Sequence, residues 1–113
     1  MHELAITQEL VSLAQSQALA HDAQQISSIT VEIGALSGVV AEAVAFCYDS
    51  CTLGTILEGS ELKINSIAAL GWCPDCEGQR EMNSVSLACA ECGGFFIKPE
   101  QGTELRLVEL ETA

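Results

Sequence analysis

The sequence predicts an α+β fold in which two helices pack on a small three-stranded sheet, with an inserted four-cysteine zinc-ribbon module. Three observations lead to this prediction. The chain has 113 residues, which suits one domain with a small insert. Segments with helical periodicity alternate with segments of strand periodicity. Two Cys-x-x-Cys pairs interrupt the strand patterns near the end of the chain, which favours an insertion into the sheet domain.

Two segments carry the periodicity of amphipathic helices. Residues 3–21 place apolar side chains on one stripe, and residues 40–52 do the same before Gly54 ends the pattern. The predicted stripes are Ile6, Leu10, Leu13, Ala14, Ala18 and Leu19 in the first helix, and Val40, Val44, Cys47 and Cys51 in the second. We expect both stripes to pack against the sheet.

Three segments alternate apolar and polar residues as strands do, at 28–34, 61–68 and 103–110. The last is apolar enough to be central in the sheet, or nearly so. The cysteine module lies between the second and third strand patterns. We therefore predict a domain made of residues 1–70 and 100–113, and a zinc-binding ribbon domain made of residues 71–99.

The four cysteines of the module are Cys73, Cys76, Cys89 and Cys92, arranged as two pairs with twelve residues between them. Each pair can sit on a short turn that aims both sulfurs at one point, so the two turns supply four thiolates for a tetrahedral Zn(II). Two disulfides or one redox pair are the alternatives. An iron–sulfur site is less favoured, because its usual cysteine spacings differ.

Composition restricts the classes of function. Four basic residues stand against sixteen acidic ones, which disfavours binding to nucleic acid, since that requires a basic footprint. No apolar run reaches the length of a membrane span, and the first residues lack the basic region of a signal peptide. We therefore expect a cytoplasmic protein whose thiols stay reduced, which favours zinc over disulfides. The acidity either confers solubility or attracts metal cations and basic protein surfaces.

The first two residues form a second candidate metal site. Met1 and His2 offer an α-amine, a backbone amide and an imidazole within one chelating reach, a nitrogen set that Ni(II) and Cu(II) favour. The amine must lose its proton, so affinity should rise with pH across neutrality. The alternative is a frayed, solvated terminus. The other histidine, His21, is expected to cap the first helix.

Cys47 and Cys51 lie four residues apart, which places both sulfurs on one side of the second helix. They can form a soft-metal site or act as small buried hydrophobic residues. Their fit to the apolar stripe favours the second interpretation.

Several segments together resemble the HypA/HybF family of hydrogenase maturation factors. These are Met-His-Glu-Leu at the start, Glu-Ile-Gly-Ala-Leu-Ser-Gly-Val at 32–39, Gly-Thr at 54–55, Gly-Ser-Glu-Leu at 59–62, the four-cysteine module and Gly-Thr-Glu-Leu at 102–105. The resemblance covers essentially the whole chain. The Met-His-Glu start combined with the downstream cysteine module is specific, whereas either part alone is not.

The resemblance implies a nickel metallochaperone with a structural zinc site. Its nickel ligands would be the Met1 amine, His2 and Glu3, the last through its backbone amide or side chain. Its zinc ligands would be the four module cysteines. The implied partners are the GTPase HypB and the large subunit of [NiFe]-hydrogenase, with urease as a further acceptor in some organisms. The chain would be a monomer or a homodimer.

One departure from the family pattern concerns a further nickel ligand. Some members carry an acidic residue after the Gly-x-Leu-Ser stretch, where this chain has Val39 and Val40, and the nearest carboxylate is Glu42. Two alternative functions remain open. A zinc-ribbon protein-interaction module would transport no metal. A thiol oxidoreductase would require an accessible cysteine of low pKa, which four coordinated thiolates do not offer, so we expect no enzyme.

Overall fold

The computed structural model describes residues 2–83, 86–94 and 98–113, and of His2 it describes the backbone alone. Within these ranges two helices and six strands form two three-stranded sheets. The elements are α1 (His2–Ala20), β1 (Ile26–Gly34), α2 (Ala41–Thr52), β2 (Glu61–Ile67), β3 (Leu70–Cys73), β4 (Gly78–Glu81), β5 (Lys98–Gln101) and β6 (Leu105–Thr112). The predicted fold class is confirmed.

The first sheet has the order β2-β1-β6, with β1 parallel to β2 and antiparallel to β6. Helix α2 makes the crossover that joins the two parallel strands. The expectation of a central or nearly central last strand was wrong, because β6 lies at an edge. A register shift leaves Val108 without a partner between the pairs Thr30–Glu109 and Val31–Leu107. Leu107 and Val108 are adjacent at this bulge, so the sequence appeared to place apolar residues on both faces of the strand, as in a central strand.

The core lies between one face of the first sheet and the two helices. Ile29, Val31 and Ile33 of β1 are buried there, against α1 and against Val44 and Tyr48 of α2. The other face of the sheet is polar, and Arg106 Nε lies 2.6 Å from Glu32 Oε1 across two strands. One packed face and one solvated face explain the alternating pattern of these strands.

The buried stripe of α1 differs from the predicted one by a rotation. Its buried residues are Thr7, Leu10, Val11, Ala14 and Ala18, whereas Leu13 and Leu19 are 46% and 65% exposed. Ala14 and Ala18 are fully buried and small, so they let α1 pack closely against the rest of the core. Leu13 then lies over an open groove beside β6, which Leu107 and Leu110 line as well.

The second sheet has the order β4-β3-β5, with both pairs antiparallel, and it carries the cysteines. It meets the first sheet where Gly34 ends β1. There the Leu36 amide donates a 2.6 Å hydrogen bond to the Gly102 carbonyl, and the Gly34 amide donates one of 2.7 Å to the Glu104 carbonyl. In the described ranges, no helix has both the length and the apolar character that a membrane crossing requires.

Candidate metal centre

The four module cysteines converge on one point. Their Sγ atoms all lie within 4.8 Å of one another, with Cys73 and Cys92 3.5 Å apart and Cys76 and Cys89 4.0 Å apart. Thiolates about 2.3 Å from a central zinc stand about 3.8 Å apart in a tetrahedron, so these separations fit a tetrahedral ion. All four cysteines are free, at sulfur distances well beyond those of a disulfide. The cluster thus fits zinc, and no disulfide pairs are formed.

Two similar backbone turns produce this convergence. We call residues 73–76 the first knuckle and residues 89–92 the second knuckle. In each, the residue directly after the second cysteine adopts a left-handed conformation, with φ of 52° at Glu77 and 76° at Gly93. The first knuckle joins β3 to β4, and the second is closed by a 2.9 Å hydrogen bond from the Gly93 amide to the Cys89 carbonyl. Left-handed residues let both turns fold back sharply and present two sulfurs each.

The thiols of the cluster differ in acidity. Backbone amides, first that of Cys92 and then that of Glu91, lower the pKa of Cys89 to about 7. Hydrogen bonding with the Cys92 thiol, followed by burial, raises the pKa of Cys76 to about 12. The Gly94 amide also donates a 3.4 Å hydrogen bond to Cys92 Sγ. Metal binding must therefore displace protons from these thiols, and Cys89 releases its proton most readily.

Arg80 provides positive charge beside the cluster. From β4 its Nε lies 2.8 Å from Glu91 Oε2 in the second knuckle, and its Nη1 donates a 2.8 Å hydrogen bond to the Gln79 carbonyl. Glu91, and to a smaller extent Cys76, raise the pKa of Arg80. Arg80 was not among the residues predicted from the sequence. A usable signal existed, because Arg80 and Lys98 are the only cations in the module of residues 71–99.

Of the predicted nickel ligands, the structure describes the backbone of His2 and the whole of Glu3, both in the first turn of α1. Met1 and the side chain of His2 fall outside the described residues, whereas the backbone of His2 opens the helix. Glu3 is half-buried in the first turn, and the fully buried Thr7 hydroxyl donates a 2.7 Å hydrogen bond to its carbonyl. This bond satisfies the buried hydroxyl within the first turns of the helix.

The other sequence-predicted candidates lie elsewhere. Cys47 and Cys51 are half-buried on α2, and Cys51 packs against the core. Val40 and Glu42, at the start of the same helix, are both exposed. His21 is exposed just beyond the other end of α1. Within the described part of the chain, the module cysteines are the only group of three or more potential metal ligands brought together.

Fold and site together define a small α+β metal-binding protein with a zinc-ribbon-like four-cysteine module. The family model described as "Hydrogenase/urease nickel incorporation, metallochaperone, hypA" matches residues 1–112. The chain therefore belongs to the HypA family of hydrogenase and urease nickel-incorporation metallochaperones, and the resemblance noted in the sequence is confirmed. This is a family of maturation metallochaperones and not of catalysts.

Individual relatives agree with this assignment. The hydrogenase maturation factor HypA of Geotalea uraniireducens (strain Rf4) is 40% identical over 111 residues, which cover 98% of each chain. The factor of the same name from Geobacter sulfurreducens is 39% identical over the same length. The solution structure of the Ni metallochaperone HypA from Helicobacter pylori aligns with 97% of this chain and 96% of its own, at a TM-score of 0.65 and 22% identity. That structure supports the fold.

Proposed function

We propose that this protein carries Ni(II) at its amino terminus and delivers it to the large subunit of [NiFe]-hydrogenase. The observation that carries the proposal is membership of a nickel-incorporation family along residues 1–112, which includes the Met-His-Glu start. The Met1 amine and the His2 imidazole are the principal ligands in this proposal. Glu3 adds its backbone amide or its carboxylate.

The chemistry of the amino terminus suits a transported metal. Nitrogen ligands in a planar set favour Ni(II) over zinc, which prefers a tetrahedron. A site at the end of the chain can also be dismantled ligand by ligand by an acceptor. The net charge of −12 favours the approach of metal cations. A selective site that still releases its metal is what a metallochaperone requires.

The cysteine cluster has a different proposed role, which is to hold a structural zinc. Its separations of 3.5 and 4.0 Å suit a tetrahedral ion, and four thiolates make such a metal part of the fold. None of the residues that form the main core belongs to β3, β4 or β5. We infer that residues 71–99 form a zinc-dependent domain, and that residues 1–70 and 100–113 form the nickel-binding domain.

Delivery requires partners, and the proposed ones are the GTPase HypB and the precursor of the hydrogenase large subunit. A maturation factor acts together with other maturation factors, and the acidic surface suits basic patches on them. In this proposal the ribbon presents the nickel-binding domain to a partner, while the metal leaves from the first residues.

The proposal is tested by nickel transfer. Untagged, zinc-loaded protein is charged with one equivalent of Ni(II) and mixed with metal-free large-subunit precursor, and nickel is then measured in the separated proteins. We expect transfer from the wild type and from His21→Ala, which removes the only other histidine, and little transfer from His2→Ala. Equal transfer by His2→Ala would refute the site. Absence of saturable nickel binding in the wild type would favour a zinc-ribbon interaction module instead.

A further inference from the structure

Two thiols of the protein lie outside the ribbon, at Cys47 and Cys51 of α2. Both side chains are half-buried, so each remains partly accessible to solvent. They stand one helical turn apart, and residues in this relation are neighbours on the helix surface. Burial, and then electrostatic interaction with Cys47, raise the pKa of Cys51.

Helix geometry decides what such a pair can do. Positions four apart in a helix hold their Cβ atoms about 5–6 Å apart. A disulfide needs Cβ atoms about 3.5–4.5 Å apart, so α2 would have to distort to close one. Two thiolates on one metal at about 2.3 Å each need sulfurs no more than about 4.6 Å apart, which rotation about the Cα–Cβ bonds provides. The helix therefore resists a disulfide but accommodates a shared thiophilic atom.

We propose that Cys47 and Cys51 form a two-thiolate binding site for a soft monovalent metal ion, Cu(I). Thiolates favour Cu(I), zinc and iron–sulfur clusters, and of these only Cu(I) is satisfied by two ligands. Within the described residues no histidine or carboxylate joins this pair to make a group of three, so four-coordinate ions such as zinc lack a full ligand set here. Each thiol releases its proton to solvent as the metal–sulfur bond forms, and no electron is transferred.

The site is separate from both metal sites discussed above. It lies on α2, whereas the cluster lies on the knuckles of the second sheet and the proposed nickel ligands are the first three residues of the chain. The inference therefore does not rest on nickel transport. The Cu(I) site would lie in the domain that we propose carries nickel, on α2, which packs beside α1.

The first experiment is an anaerobic Cu(I) titration of zinc-loaded protein against a chromophoric Cu(I) chelator, with zinc release followed in the same sample. We expect one Cu(I) per chain and no zinc release. Cys47→Ser and Cys51→Ser should each weaken binding by at least about tenfold, because one thiolate ligand is lost. Copper uptake that ejects zinc, and that both serine variants retain, would overturn the proposal.

A matched control moves one thiol without removing it. The double substitution Asp49→Cys with Cys51→Ser keeps two thiols on α2, two positions apart, where they do not face each other. Asp49 is exposed, so the change leaves the core intact. We expect this variant to bind Cu(I) as weakly as Cys51→Ser. Binding equal to that of the wild type would show that proximity on one face is irrelevant and would overturn the proposal.

Phenylarsine oxide tests the geometry independently of copper. Its arsenic takes two thiolates from two thiols and releases one water, with no change of oxidation state. Mass spectrometry of zinc-loaded wild type should show one adduct that survives dilution, with zinc retained. Neither serine variant nor the repositioned variant should hold it. A stable adduct on Cys47→Ser would place the reactive pair elsewhere and contradict the assignment.

Discussion

Arg80 of β4 forms an ion pair with Glu91, with 2.8 Å between its Nε and Glu91 Oε2, and electrostatic attraction to Cys76 also contributes to the raised pKa of Arg80. Cys76 belongs to the first knuckle and Glu91 to the second. Four thiolates on a divalent ion leave a net negative charge, which a guanidinium partly offsets. A cation held beside the sulfurs should therefore help the cluster to retain its metal.

We predict that Arg80→Gln accelerates loss of zinc to a competing chelator by about tenfold or more, which is the range seen when partners of metal ligands are removed. Glu91→Gln should have a smaller effect in the same direction, because it frees the guanidinium without removing it. Lys98→Gln removes the other cation of the module and is the matched control. Equal rates for Arg80→Gln and Lys98→Gln would show that Arg80 acts only through net charge.

Removal of zinc should unfold one part of the protein and spare the other. The main core contains residues of α1, β1 and α2 and none of β3, β4 or β5. We predict that a strong chelator abolishes amide-exchange protection in the second sheet, while amides of β1 such as those of Val31 and Ile33 stay protected. Simultaneous loss of protection in both sheets would mean that the two modules fold as one cooperative unit.

Zinc binding should depend on pH because the metal displaces protons. Because the ribbon is expected to unfold without zinc, the thiols that the metal meets have ordinary pKa values of about 8.5. Binding near neutrality should then release about four protons, and apparent affinity should rise by far more than about tenfold per pH unit up to about pH 8 and more slowly above it. In a folded zinc-free cluster, Cys89, with a pKa of about 7, would instead be partly ionised already at pH 7. Calorimetry in buffers of different ionisation enthalpy counts the protons, and a count that falls markedly between about pH 6 and pH 7 would contradict unfolding of the zinc-free ribbon.

The junction between the two sheets should tolerate no side chain at Gly34. A Cβ there would lie 2.0 Å from the Gly102 carbonyl oxygen and 2.8 Å from the Glu104 amide nitrogen, both of them backbone atoms. We predict that Gly34→Ala lowers the free energy of unfolding by about 3 kcal/mol in urea denaturation of zinc-loaded protein.

Gly38→Ala is the control for that substitution. Gly38 has a φ of 78° and open space around it, so it tests backbone conformation without a clash. We expect a cost of about 1 kcal/mol. If both variants were equally stable, the close approach of β1 to Gly102 would not contribute as the structure indicates.

The sequence predicted the order of elements and the convergence of the four module cysteines because both depend on local signals. Periodicity marks helices and strands, and Cys-x-x-Cys spacing marks a knuckle whatever surrounds it. It did not predict which face of α1 is buried, since the small Ala14 and Ala18 pack more closely than the larger Leu13. It also missed Arg80, whose role appears only when β4 folds next to the second knuckle. Those features depend on contacts between distant segments.

The central claim is that nickel binds at the first residues and not at the cysteines, and equilibrium titration tests it most directly. Untagged, zinc-loaded wild type, His2→Ala and His21→Ala are each titrated with Ni(II) near pH 7.5, with zinc content measured throughout. We predict one nickel per chain with zinc retained, an affinity reduced more than about tenfold in His2→Ala, and no change in His21→Ala. Undiminished nickel affinity in His2→Ala, or nickel uptake that displaces zinc, would contradict the account.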